Sequence, residues 1–87
     1  MSEVDATLAE RGAIYGDYAA VAYTSQAIKN VLIAGASHDR LSNVELESLD
    51  MIANKLARIV NGKRHRDNFV DIAGYAMLAA GDEPNVD

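Results

Sequence analysis

The stretch Ser42–Gly62, SNVELESLDMIANKLARIVNG, decides how this chain folds. Ser42 followed by Glu45 is the S-x-x-E pattern of a capping box. In it the serine hydroxyl accepts from the backbone N–H three residues on, and the glutamate reaches back to the serine's own N–H. Behind the box, Leu46, Leu49, Ile52, Ala53, Leu56, Ile59 and Val60 recur at steps of three and four, the period of one helical face. Gly62 supplies a C′ residue, and Lys63, Arg64 and Arg66 stand just past the helix's negative end. The pattern predicts a helix over 43–61 with that apolar stripe buried.

Working outward, Asp67 is placed to cap a further helix that ends at Gly81, with Phe69, Val70, Ile72, Ala73, Ala76, Met77 and Ala80 along one side. The turn before it is about five residues long, so the two helices should pack antiparallel. Upstream, Asp17 can cap a helix carrying Val21, Thr24, Ile28, Val31 and Leu32 at helical spacing, with Gly35 as its stop and 37–41 as a loop. Asp5 can cap a short N-terminal helix through Leu8 that stops near Gly12. Residues 82–87 read as a flexible polar tail around Pro84. Strand signals are absent. The fold expected is all-α: one domain over 1–81, an antiparallel helical bundle of three main helices plus a short N-terminal one.

Length adds a further condition. An 87-residue chain buries a modest share of its surface, and with no cysteine it has no disulfide to compensate. His38 and His65 make no zinc motif. Extra stability is therefore expected from homo-oligomerisation. Net charge is −5 with a pI near 4.8, which argues against a broad grip on nucleic acid or an anionic membrane. The basic run Lys63-Arg64-His65-Arg66 is too short to change that. No stretch approaches a membrane span and no signal peptide is read, so the expected location is the cytoplasm. Tyr15, Tyr18 and Tyr23 cluster near the first long helix, as packing residues at a subunit contact or as a platform for a base.

The polar residues also share faces. Glu47, Asp50, Asn54 and Arg58 fall opposite the leucine stripe, flanked by Lys55, and Asp67, Asp71 and Tyr75 follow at four-residue steps on the next helix. One reading is a solvated surface of ion pairs worth about 0–1 kcal/mol each. The other is a site in which Glu47, Asp50, Asp67 and Asp71 offer oxygen ligands to Mg²⁺, Lys55 and Arg58 neutralise a phosphate chain and Tyr75 orients the substrate. In that reading Glu47, Asp50 and Asp71 carry the catalysis.

The phrases LDMIANKLARIVNG and DNFVDIAGYAML, with LAERGAIYGDY near the start, resemble a family of small bacteriophage proteins of uncharacterised function. That family in turn looks distantly like the all-α, MazG-like nucleotide pyrophosphohydrolases. The resemblance implies Mg²⁺ held by E-x-x-E on one helix and E-x-x-D on the next, cleavage of nucleoside triphosphates to monophosphate and pyrophosphate, and dimers or tetramers. This chain departs from that pattern, with Glu47-x-x-Asp50 on one helix and Asp67-x-x-x-Asp71 on the next. Three functions are open at this point. They are a MazG-like nucleotide-binding protein or pyrophosphohydrolase, a non-catalytic phage protein that binds and inhibits a host protein, and a protein that sequesters a nucleotide against host defence.

Overall fold

A computed structural model describes residues 17–82 of the chain. Among them stand three α-helices and no strand: α1 over Tyr18–Ile33, α2 over Asn43–Asn61 and α3 over Arg66–Ala80. A single 3₁₀ turn, His38–Arg40, interrupts the loop between α1 and α2. The short helix expected near Asp5, the bend at Tyr15, and Pro84 lie outside the described residues.

Most of the helix ends follow from side chains that satisfy free backbone groups. Asp17 Oδ2 accepts from the Ala20 N–H at 3.2 Å and starts α1. The capping box closes in both directions, with Glu45 N–H donating to Ser42 Oγ at 3.1 Å and Ser42 N–H to Glu45 Oε1 at 2.9 Å. Two ends differ from expectation. Gly62 is the C-cap of α2 in extended backbone rather than a C′ residue beyond it. At α3 the N-cap is His65, with no side-chain cap bond, and Asp67 lies inside the first turn. There its negative charge still faces the positive end of the helix.

Helix α2 is the central one of the described helices. It packs against both α1 and α3, while α1 and α3 scarcely touch one another. The α2–α3 pairing is antiparallel: Lys55 meets Asp71 near the middle, and at the far end Ser42 Oγ donates to Asp82 Oδ2 at 2.6 Å. Asp82 is thus tied to the start of α2. On the other side, Asn61 Nδ2 donates to Thr24 Oγ1 of α1 at 2.9 Å.

What lies between the helices is smaller and more polar than the apolar stripes suggest. Among the described residues the fully buried apolar ones are Val21, Ala53 and Ala57, and the fully buried polar ones are Ser25, Ser48, Lys55 and Asn68. Along α2, Leu56 and Val60 were expected inside and are exposed, as is Val31 on α1. On α3, Phe69, Val70 and Met77 are exposed, and Asn68 is the residue buried. The reason is geometric. A helix flanked on two sides buries two separate strips, and at about 100° per residue a stripe centred on Leu56 falls between them. Lys55 turns toward α3, Ala57 toward α1, and Leu56 points out between the two. No described helix is long and apolar enough to cross a membrane.

Candidate functional site

The chemistry of the described region gathers at the α2–α3 joint. Lys55 Nζ lies 3.0 Å from Asp71 Oδ2, with the lysine side chain 11% exposed and the aspartate 43%. The two partners are unequally desolvated. The ammonium has given up most of its water, so it depends on the carboxylate, whereas Asp71 still reaches solvent. A lysine takes such a place by laying its four-carbon stem along the helix joint and presenting only its tip to the counter-charge. On α3, Asn68 lies one turn before Asp71 and Tyr75 one turn after, so the face turned toward α2 carries amide, carboxylate and phenol in succession. Asn68 is buried and Tyr75 half-buried.

The α1–α2 joint is polar too, at the C-terminal end of α2. Asn61 Nδ2 donates both to Thr24 Oγ1 and to the Ala57 carbonyl of its own helix, each at 2.9 Å. The alanines at 53 and 57 let α1 approach closely. Two buried polar atoms, Ser25 Oγ and Asn68 Nδ2, have no hydrogen-bond partner. Each such orphan costs about 1–3 kcal/mol, a considerable expense in a protein with so small an interior.

The residues singled out in the sequence divide accordingly. Lys55 and Asp71 are brought together. Glu47 and Asp50 are exposed, about 80° and 140° round α2 from Lys55, so they look away from the joint. Asp67 is exposed, with Oδ2 3.9 Å from His65 Nε2. Arg58 is half-buried and engaged in an interaction of its own. Among the described residues no group of three or more His, Cys, Asp or Glu side chains is placed to hold a metal ion. Glu47, Asp50, Asp67 and Asp71 are thus not gathered into one such group among the described residues. The functional-looking side chains that the apolar stripes concealed are Ser25, Ser48 and Asn68. Asn68 had a signal: it is three residues from Asp71, on the same helical face.

The family model for DUF6378, described as a domain of unknown function, matches residues 4–82. The chain belongs to the DUF6378 family. No curated protein matches it, and no solved structure does. The DUF6378 match spans all three helices, the Lys55–Asp71 pair and the Ser42–Asp82 bond, so these features lie within one family unit.

Proposed function

We propose that this protein binds a nucleotide as a homo-oligomer, in the manner of a phage-encoded, MazG-like helical assembly. The observation that carries the reading is Lys55, an ammonium withdrawn into a helix joint against the Asp71 carboxylate at 3.0 Å. Arg58 lies one turn along α2, and Asn68 and Tyr75 flank Asp71 on α3. A phosphate can compete with the half-exposed Asp71 for the ammonium, the tyrosine ring can bear on a base or ribose, and the buried Asn68 amide retains an unused donor. Since the described carboxylates are not gathered into one group, binding comes first in this proposal. Pyrophosphohydrolysis would require Mg²⁺ ligands beyond those that the described residues of one chain bring together.

The test is calorimetric titration with a panel of nucleoside mono-, di- and triphosphates, with and without Mg²⁺, followed by chromatography of the recovered ligand. Binding of at least one nucleotide is expected, weakened at least tenfold in Lys55→Met. Release of pyrophosphate would identify the pyrophosphohydrolase, and intact ligand a sequestering protein. No heat with any nucleotide, or undiminished affinity in Lys55→Met, overturns the site.

A second reading is favoured by the exposed Tyr18, Tyr23 and Leu78, large side chains of the kind that anchor protein contacts. In it the chain is a non-catalytic module that binds a host protein. Recovery of one defined host protein on the immobilised chain, lost in Tyr23→Ala, would support it.

A further inference from the structure

We infer that Asp82 is a clasp. Reaching from the end of α3 to the start of α2, it holds down the half of α3 beyond Gly74, which opens as a unit while the Lys55–Asp71 end of the joint stays shut. The inference is independent of the nucleotide and oligomer readings above.

Helix α3 has two unequal halves. Before Gly74 it carries the buried Asn68 and the half-buried Asp71 and Ile72, and Asp71 is paired with Lys55 at 3.0 Å. Over residues 73–82 none is fully buried among the described residues. Tyr75, Ala79 and Asp82 are half-buried there, and Met77 and Leu78 are exposed. A segment with so little buried surface opens at lower free energy than its neighbours. Gly74 marks the division. A Cβ at this position would meet nothing within 4 Å, so no described neighbour demands a glycine, and its backbone freedom weakens the helix at that point.

Against this loosening stands a polar tie. Ser42 Oγ donates to Asp82 Oδ2 at 2.6 Å, the short separation of a hydroxyl on a carboxylate. The position of the charge strengthens it. Asp82 follows Gly81, the C-cap of α3, so its carboxylate stands at that helix's negative end, where it is unfavourable. The same carboxylate lies against Ser42, the N-cap of α2, at that helix's positive end, where it is favourable. Asp82 therefore disfavours α3 standing loose and favours α3 lying on α2. The register shows what the clasp covers. With residue 42 against 82 and 55 against 71, the buried Ser48 lies opposite the 75–79 segment, under the half that opens. Opening bares Ser48 and leaves Lys55 covered.

The experiment is amide hydrogen exchange on the full chain, read residue by residue. A detached piece as short as this half does not stay helical alone, so its amides exchange whenever it opens. Asp82→Ala should speed exchange at 77–81 roughly tenfold, the worth of one hydrogen bond to a charged group, and leave 70–72 unchanged. In a Ser42→Ala background the same replacement should change exchange by about twofold or less, because its partner is already gone. Gly74→Ala should slow exchange at 77–81 by about threefold. The sign is decisive, since a helix end that merely frays is protected when a negative charge is removed from it. Slower or unchanged exchange at 77–81 in Asp82→Ala would overturn the clasp, as would its full effect persisting in Ser42→Ala. Equal acceleration at 70–72, or no slowing in Gly74→Ala, would overturn the division of α3 into halves.

Discussion

The two flanks of the α2–α3 joint invert the usual distribution of residues. On one, a lysine is withdrawn from water against an aspartate; on the other, Leu56, Val60 and Phe69 stand in it. The contrast teaches that burial is shared unevenly among the large apolar side chains: Ile28, Leu46, Leu49, Ile52, Ile59 and Ile72 are half-buried, whereas Leu56, Val60 and Phe69 are exposed. Among the described residues the fully buried positions are held by Val21, two alanines and polar side chains, which specify register and spacing but supply little burial free energy.

That comparison can be broken from either side, and the largest effect belongs to the alanines. Ala57→Leu should destabilise by about 3 kcal/mol, because Ala57 is fully buried between helices that would have to separate. Denaturant unfolding measures it; a cost below about 1 kcal/mol would mean that the joint is loose. Next comes Asp71→Ala, expected to cost about 2 kcal/mol by leaving the Lys55 ammonium without its partner. The figure sits below that of a fully buried pair because Asp71 is half in water. Lys55→Met, which keeps the packed stem and leaves only a hydratable carboxylate, should cost less than half as much. Equal costs would refute the unequal desolvation described above.

Smaller effects test the ends and the outer surface. Ser42→Ala removes the hydroxyl that accepts from Glu45 and donates to Asp82, and should cost about 1 kcal/mol by thermal unfolding. Gly74→Ala should stabilise by about 0.5–1 kcal/mol, since a Cβ there meets nothing within 4 Å and helical glycine is entropically expensive. Destabilisation by that change would reveal a close contact with another chain on that side of α3.

Much of this was legible in the sequence, and the division follows from physics. Punctuation is local: Asp17, the Ser42–Glu45 box and Gly81 act on backbone within a turn, so the boundaries of α2 follow from residues next to them. Lys55 and Asp71 were legible as charges on adjacent helices, but not as partners of one another. Which face is buried, by contrast, is not a local property. The leucine stripe marks a surface that ought to leave water, but not whether α1, α3 or another molecule covers it. Taking that cover to be internal placed Leu56 and Val60 inside, and hid Ser25, Ser48 and Asn68 behind residues of apparently greater claim.

Among the described residues the fully buried core is small, and the concentration dependence of thermal unfolding tests most directly the proposal that association completes it. For a folded dimer in equilibrium with unfolded single chains, a hundredfold rise in concentration adds about 2.7 kcal/mol, so the midpoint should climb by about 7 °C. A midpoint that stays constant across that range would contradict it, because one chain would then be stable by itself.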